Sequence, residues 1–184
     1  MLGLNRKLQR LENEGSYIKV GLIGAGQMGR GMISQIEGMK GMRVVITADL
    51  QVDNIKSAYT HAGIDAANII TTDDKEEAAS ALKHNQVVAT TDMKLVTSLY
   101  EVDVVVDATG VPNIGAEIAW DSILNRKHIV MLNVEADVTV GPLLKKMADA
   151  SGVVYTGSAG DEPGAIMELY DFADARGFEI VALG

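Results

Sequence analysis

The sequence predicts a doubly wound α/β domain, built on a mostly parallel sheet, that follows an extra N-terminal helix. Three observations predict this fold class. Strand-like and helix-like segments alternate along the chain, the strand-like segments are nearly continuous runs of Val and Ile, and the helix-like segments have about 10–15 residues. Strands of that kind are buried on both faces of a sheet, so helices must cover both faces. We expect a helix over residues 1–16 and one α/β domain over residues 17–184.

The elements can be placed in order from hydrophobic periodicity and from turn residues. The N-terminal helix carries Leu4, Leu8 and Leu11 on one face, with Gly15 placed to end it, and we expect it to pack on the main domain or on a second subunit. Strands are predicted at 17–24, 43–49, 67–71, 86–90, 101–110, 128–134, 153–157 and 178–184. Helices are predicted at 27–37, 52–63, 73–85, from Asp92, and at 112–127, 141–152 and 163–177.

Composition and charge exclude several classes of protein. The 184 residues contain no cysteine, which excludes a disulfide framework and a thiolate metal site. The formal net charge is −9, which a nucleic-acid surface would repel, and no apolar run reaches the roughly 18 residues of a membrane span. The charged, amphipathic N-terminus lacks the apolar region of a signal peptide. We expect a cytoplasmic enzyme or binding protein without a nucleic-acid or membrane partner.

A glycine-rich loop follows the first predicted strand and opens the first helix of the α/β series. In the stretch "VGLIGAGQMGRGM", Gly24, Gly26 and Gly29 form the pattern G-x-G-x-x-G. In a dinucleotide-binding fold the first glycine allows a tight turn, the second lets the backbone approach the pyrophosphate, and the third lets the helix pack on the strand. We therefore expect these glycines, with Gln27 and Met28 between them, to hold the pyrophosphate of a cofactor.

An acidic residue, Asp49, ends the second predicted strand and lies about 20 residues after Gly29. In a dinucleotide site, its carboxylate would accept hydrogen bonds from the hydroxyls of the adenosine ribose. A carboxylate there repels a 2′-phosphate and favours NAD over NADP, although Arg43 or a residue from elsewhere in the fold could reverse that preference. A glycine turn without a ligand, a flavin site and an S-adenosylmethionine site remain alternatives. A P-loop is excluded because its lysine is missing.

Two further strand ends supply candidates for the nicotinamide half of the site. Ala108, Thr109 and Gly110 follow a central predicted strand that ends at Asp107. Because strand carboxyl ends surround the ligand crevice of an open α/β sheet, we expect these three residues to line the site. Asn133 ends the next predicted strand at the same edge of the sheet, where it either contacts the cofactor or ties backbone groups together.

The loop "GSAGDEPGA" at residues 157–165 holds two adjacent acids, Asp161 and Glu162, among glycine, serine and proline. In such a loop they could act as catalytic acid or base, bind a metal ion or contact substrate hydroxyls, or they could only cap the following helix. We take them as candidate catalytic residues and leave a metal requirement open. The three histidines have no partners at the spacing of a metal site or a catalytic triad, and a nucleophile elbow is absent from the sequence.

Four segments of the sequence together resemble the homoserine dehydrogenase-like oxidoreductases that carry a C-terminal SAF domain. These segments are "KVGLIGAGQMGRGM", "VVVDATGVPNIGAEIAWDSI", "HIVMLNVEADVTVGPLL" and "GDEPGA". The group includes the DXP reductoisomerase-like enzymes, which convert 1-deoxy-D-xylulose 5-phosphate to methylerythritol phosphate. The resemblance extends from about residue 18 to residue 184, and "NVEADVTVGP" and "GDEPG" are more specific than the glycine loop.

The resemblance implies an NAD(P)-binding Rossmann domain that forms the N-terminal portion of a longer oxidoreductase. Such an enzyme would transfer hydride between the nicotinamide and a small hydroxy or keto substrate. Homoserine dehydrogenases carry an Asn-Lys pair where this chain has Asn133 followed by Val134, so the resemblance leaves the identity of the substrate open. We also expect the 184 residues to bind cofactor but to turn over poorly by themselves.

Two other functions remain open at the level of the sequence. The first is a reductoisomerase-like activity that requires a divalent metal and a sugar-phosphate substrate. The second is a non-catalytic, redox-sensing module that binds a dinucleotide and uses its N-terminal helix to form a homo-oligomer or to engage a partner.

Overall fold

The computed structural model of the chain describes residues 3–158 and 164–182. Its strands are β1 (Ile18–Ile23), β2 (Met42–Ala48), β3 (Ile69–Thr71), β4 (Val87–Thr90), β5 (Val104–Asp107), β6 (His128–Met131) and β7 (Tyr155–Gly157). Its helices are α1 (Leu4–Asn13), α2 (Gln27–Glu37), α3 (Val52–His61), α4 (Lys75–Lys83), α5 (Met93–Ser98), α6 (Pro112–Leu124), α7 (Val134–Ser151) and α8 (Gly164–Asp174). A short 3₁₀ turn, Ala66–Asn68, precedes β3.

The described strands form one parallel sheet in the order β3-β4-β2-β1-β5-β6-β7. The chain first builds the sheet on one side of β1, and then crosses over to place β5 on the other side. In a doubly wound sheet, the carboxyl ends of the two strands at this reversal border the ligand crevice. The predicted fold class is confirmed, and its crevice lies over the carboxyl ends of β1 and β5.

Helices cover both faces of the sheet, as continuously apolar strands require. On one face, α2 and α3 bury residues such as Ile33 and Tyr59 against the strands. On the other face, α4, α5, α6 and α7 contribute the second core cluster, which includes Ile118 and Leu144. These two apolar layers fix the strands, and with them the loops that leave the carboxyl edge of the sheet.

Helix α1 lies against the loop between α2 and β2. Leu8 on α1 is buried, and Gly41 in that loop has a φ of +69°. A Cβ at Gly41 would overlap the main chain of Leu8, so the helix and the loop touch through their backbones. The Gly41 N–H also donates to a carboxylate oxygen of Glu12 at 2.7 Å. Helix α1 therefore packs on the main domain, and the division of the chain after residue 16 stays a prediction.

Helix α7 begins at Val134, and the predicted start at residue 141 was wrong. The reason is an N-cap that the sequence analysis did not assign. Asn133 Oδ1 accepts a hydrogen bond from the Ala136 N–H at 3.2 Å, which satisfies one of the first N–H groups of the helix. Pro142, the second residue of the predicted helix 141–152, lies inside α7.

Three predicted strands differ from the structure by three residues or more at one end. The strand predicted over 101–110 is β5 and spans only Val104–Asp107. The strand predicted over 128–134 ends at Met131, because the following residues lead into the cap of α7. The strand predicted over 178–184 is not formed within its described part, 178–182. Phe178 there is 64% exposed. Apolar and β-branched composition favours a strand only where a neighbouring strand pairs with it, and none of the described strands does so here.

Candidate functional site

The glycine loop between β1 and α2 meets two packing demands of the protein and leaves one side open. Gly24 has a φ of +100°, which glycine adopts without strain, and a Cβ there would lie 2.7 Å from the Ala108 carbonyl oxygen. A Cβ at Gly29 would overlap the Gly24 carbonyl oxygen, so α2 packs directly on the end of β1. A Cβ at Gly26, by contrast, would meet no described atom within 4 Å. The open side of the loop is therefore at Gly26.

The first turn of α2 presents main-chain N–H groups at this open side. Gly26 is the N-cap, and no side chain of a described residue caps the helix start. Gln27 and Met28 are both exposed. The N–H groups and the dipole of a helix favour an anion at such a start. With open space beside Gly26, the loop fits the pyrophosphate of a dinucleotide.

Asp49 joins the end of β2 to the glycine loop. One of its carboxylate oxygens accepts the Ala25 N–H at 2.7 Å, and the other accepts the Gln51 N–H at 2.9 Å. The residue is partly exposed, and a carboxylate has more acceptor positions than these two bonds use. The contact between Asp49 and a ribose stays a prediction. The same carboxylate holds the glycine loop in place through the Ala25 N–H, a role that the sequence pattern does not predict.

At the end of β5, Asp107 organises the loop that leads to α6. Its Oδ1 accepts the Thr109 N–H at 2.9 Å and the Thr109 hydroxyl at 2.7 Å, and its Oδ2 accepts a hydrogen bond from Asn133 Nδ2 at 3.0 Å. Asp107 and Asn133 are both 0% exposed. Ala108 and Thr109 are half-buried, and Gly110 is exposed. The three predicted loop residues therefore lie at the crevice, and the carboxylate that fixes them lies beneath.

Asn133 uses its amide group within the protein. Nδ2 donates to Asp107 and, at 3.0 Å, to the Val111 carbonyl oxygen, while Thr109 Oγ1 lies 3.4 Å away. Oδ1 accepts the N–H of Ala136 in the first turn of α7. Of the two roles that the sequence left open, these contacts describe the tying of backbone groups. A contact between Asn133 and the cofactor stays a prediction, and the burial of Asn133 does not favour it.

A cluster at the carboxyl ends of β3 and β4 was absent from the sequence-based candidates. Asp73 accepts hydrogen bonds from the Thr90 hydroxyl at 2.5 Å, and from the Thr91 N–H and hydroxyl at 2.8 Å each. These bonds, that of Thr90 first, lower the pKa of the Asp73 carboxyl. The Thr90 carbonyl oxygen in turn accepts the Asp49 N–H at 3.1 Å, so the cluster adjoins the predicted ribose end of the site. The triplet Thr-Thr-Asp occurs at the ends of both strands, at residues 71–73 and 90–92, and this repeated triplet is the sequence signal from which the cluster could have been predicted.

Replacing Asp73 with alanine is expected to lower the free energy of unfolding at neutral pH and to have a smaller effect in acid. The hydrogen bonds hold the folded-state pKa below the ordinary value of 3.8. The stabilisation is therefore present above the unfolded-state pKa and is lost as the pH falls through the folded-state pKa. Urea titrations of wild type and Asp73→Ala at neutral pH and below about pH 3.8 measure the difference. A difference that stays constant across this range would contradict the prediction.

The candidate catalytic acids, Asp161 and Glu162, lie outside the described residues. Within residues 3–158 and 164–182, no group of three His, Cys, Asp or Glu side chains is placed to hold a metal ion. In the same part of the chain, no helix combines the length and the apolar character that crossing a bilayer requires.

The histidines lie in local structural contacts. The Nδ1 atoms of His61 and His84 lie 2.7 and 2.8 Å from main-chain carbonyl oxygens one helical turn earlier. His128 Nδ1 accepts the Val154 N–H at 2.9 Å and so joins β6 to the residue before β7. These contacts give each histidine a structural partner away from the glycine loop.

Comparisons with known proteins match this chain to a family and to similar folds. A family model described as "Homoserine dehydrogenase, NAD binding domain" matches residues 24–156. The fold is similar to an NAD binding oxidoreductase from Klebsiella pneumoniae, at 17% identity over 88% of this chain and 39% of that one, with a TM-score of 0.62. It is also similar to the WlbA dehydrogenase from Bordetella pertussis in complex with NADH and UDP-GlcNAcA, at 17% identity over 88% and 40% of the two chains, with a TM-score of 0.62.

A third similar structure is myo-inositol dehydrogenase from Lactobacillus casei in complex with NAD(H) and myo-inositol. The identity is 18% over 85% of this chain and 42% of that one, with a TM-score of 0.60. At these identities the likeness shows a shared fold. The chain spans 39–42% of the length of the three structures. No curated protein matches it in sequence.

Proposed function

Because this chain belongs to the family of homoserine dehydrogenase NAD-binding domains, we propose that it binds NAD for a dehydrogenase acting on a small hydroxy or keto substrate. At the broader level of functional class, the comparisons support a cofactor-binding domain of an NAD(P)-dependent oxidoreductase. One observation carries the proposal. The uncapped start of α2 opens at Gly26, and the close packing of Gly24 and Gly29 holds it in position.

Each part of the cofactor has a proposed contact along the carboxyl edge of the sheet. The pyrophosphate binds the N–H groups of Gln27 and Met28 beside Gly26, where the helix dipole favours its charge. Asp49 accepts hydrogen bonds from the adenosine ribose, and the loop 108–110 lines the nicotinamide half. The bound nicotinamide supplies hydride transfer, while the chain binds and orients it.

The position of Arg43 supports NAD over NADP. Arg43 lies near the start of β2, at the end opposite Asp49, and its Nε lies 3.9 Å from a Glu37 carboxylate oxygen. Its Nη1 donates to the Asn85 carbonyl oxygen at 3.2 Å. The basic residue that could have accommodated a 2′-phosphate is therefore held away from the predicted ribose position. The carboxylate of Asp49 would repel that phosphate.

Replacing Asp49 with alanine is expected to weaken NADH binding by about tenfold and to narrow the preference for NADH over NADPH. The variant loses the proposed ribose contact and the bond to Ala25, while it also loses the charge that repels a 2′-phosphate. Calorimetric titrations with NADH and NADPH measure both affinities. Asp53→Ala removes the same charge from the exposed first turn of α3 and is expected to leave both affinities within about twofold.

The outcomes of this titration are distinct. If wild type binds neither dinucleotide, the proposed function fails. If Asp49→Ala keeps the full preference for NADH, the cofactor site survives but the role of Asp49 as its selective residue is wrong.

On the substrate side, Asp161 and Glu162 remain our candidates for catalysis. The sequence places them shortly after Gly157, the last residue of β7. Since β7 is parallel to β5 and β6, its carboxyl end lies at the same edge of the sheet as the loop 108–110. A substrate bound there would be within reach of the nicotinamide half of the cofactor.

A further inference from the structure

We propose that the buried pair Asp107 and Asn133 positions the nicotinamide half of the cofactor by fixing the loop 108–111, without touching the cofactor. The inference rests on the proposed function above and adds to it a set of positioning residues. The loop provides the contact surface, and the pair beneath it determines where that surface lies.

The first reason is that the polar atoms of the pair are engaged inside the protein. Asp107 accepts three hydrogen bonds, two from Thr109 and one from Asn133. Asn133 donates to Asp107 and Val111 and accepts from Ala136. Both side chains are 0% exposed. A contact with a cofactor in the crevice would have to replace one of these buried bonds, which is costly.

The second reason is that one amide group connects several elements at the crevice. Through Asp107, Asn133 connects to the end of β5, and through the Val111 carbonyl it connects to the N-cap residue of α6. Through the Ala136 N–H it caps α7. The carboxyl ends of β5 and β6 and the starts of α6 and α7 are therefore held by a single side chain.

The third reason comes from Gly115 on α6. A Cβ at this residue would lie 2.5 Å from both Asn133 Nδ2 and Asp107 Oδ2. The first turn of α6 therefore approaches the pair so closely that only glycine leaves room for it. The packing of α6 and the hydrogen bonds of the pair independently specify the same position for the loop.

The loop itself depends on this support. Its Gly110 has a φ of +65° and is exposed, and Thr109 is half-buried. On the other side, Ala108 lies against Gly24, where a Cβ would meet the Ala108 carbonyl oxygen. A shift of the loop would therefore alter the surface offered to the nicotinamide half and would also disturb its contact with the glycine loop.

The test compares two ligands, NADH and ADP, by calorimetric titration of the full chain. ADP keeps the adenosine and the pyrophosphate but lacks the nicotinamide riboside. Asn133→Ala is expected to weaken NADH binding by about tenfold or more and to change ADP binding by less than about twofold. A role confined to stability would lower the melting temperature without changing the ratio of the two affinities.

Variants at Thr109 keep the test valid if Asn133→Ala fails to fold. Thr109→Ser retains the hydroxyl that donates to Asp107 and is expected to bind NADH more tightly than Thr109→Val does. Thr109→Val loses that hydrogen bond and is expected to lose about threefold or more in NADH affinity, again with ADP affinity unchanged. Rescue by serine identifies the hydrogen bond, rather than the volume of the side chain, as the cause.

Lys127 supplies a matched control at the other end of β6. It is 8% exposed, and its Nζ donates to the carbonyl oxygens of Tyr100 at 3.1 Å and Val102 at 2.6 Å. Lys127→Met removes one buried and one partly buried hydrogen bond at the amino edge of the sheet, so it is expected to lower the melting temperature and to leave both affinities unchanged.

Several results would overturn the inference. The first is that Asn133→Ala binds NADH as wild type does. The second is that Asn133→Ala loses affinity for NADH and for ADP equally. A selective loss of NADH in Lys127→Met would also overturn it, because any destabilisation would then produce the effect. If wild type binds NADH no better than ADP, the inference fails while the pyrophosphate site stands. If wild type binds neither, the proposed function itself fails.

Discussion

Replacing Gly29 with alanine is expected to weaken NADH binding by about 100-fold or more. The new methyl group would overlap the Gly24 carbonyl oxygen, and both groups belong to the backbone. The overlap is relieved only if α2 or the glycine loop moves, and such a movement displaces the N–H groups that are proposed to hold the pyrophosphate. Calorimetric titration with NADH measures the loss, and thermal unfolding shows whether the variant is still folded.

Gly31→Ala is the matched control for this variant. Gly31 lies on the same helix, and a Cβ there would meet no described atom within 4 Å. We expect unchanged NADH affinity and a free energy of unfolding higher by about 0.5–1 kcal/mol, because alanine favours a helix interior over glycine. If Gly29→Ala and Gly31→Ala bind NADH equally well, the close packing at Gly29 does not position the pyrophosphate site.

Replacing Leu22 with alanine is expected to lower the free energy of unfolding by about 2–5 kcal/mol. Leu22 is 0% exposed on β1, the strand between β2 and β5, and its Cδ2 lies 3.6 Å from where a Gly29 Cβ would be. The substitution leaves a cavity under the start of α2. Since domains are stable by only about 5–15 kcal/mol, this is a large fraction of the total. Urea titration measures it.

Leu50→Ala removes the same atoms from a side chain that is 93% exposed. Its free energy of unfolding is expected to stay within about 0.5 kcal/mol of wild type. Saturating NADH should raise the unfolding midpoint of Leu22→Ala, because a ligand that binds only the folded state stabilises it by mass action. A small loss in Leu22→Ala, similar to that in Leu50→Ala, would mean that the core under the glycine loop collapses into the cavity.

At the glycine loop, the local sequence pattern predicts both the helix that follows and the acidic residue at the end of the next strand. Helix α2 was predicted from about residue 27 to residue 37 and spans Gln27–Glu37, because a glycine pattern after an apolar strand sets both the turn and the helix start. Asp49 was found by the same logic, from its spacing to Gly29. Its bond to Ala25 could not be predicted, since that contact depends on how the ends of β1 and β2 lie side by side.

The contacts of the residues beneath the loop 108–111 could not be predicted from local sequence patterns. Asn133 was found as a strand-end polar residue, but its burial and its bonds to Asp107 and Val111 depend on the order of the strands in the sheet. The start of α7 was misplaced for a related reason, because its cap is an asparagine whose amide group also bonds to Asp107 and Val111. Asp73 was missed because its threonine partners belong to another strand.

The position of β1 in the sheet has a consequence for folding during synthesis. Val20 pairs with Val44 on one side and with Val104 on the other, so one edge of the first strand is completed early and the other much later. Pairings between residues far apart in sequence form slowly, and an open apolar strand edge invites association with other chains. While the ribosome adds the residues up to β5, the strand that carries the glycine loop is thus exposed along one edge, where a chaperone could shield it from other chains.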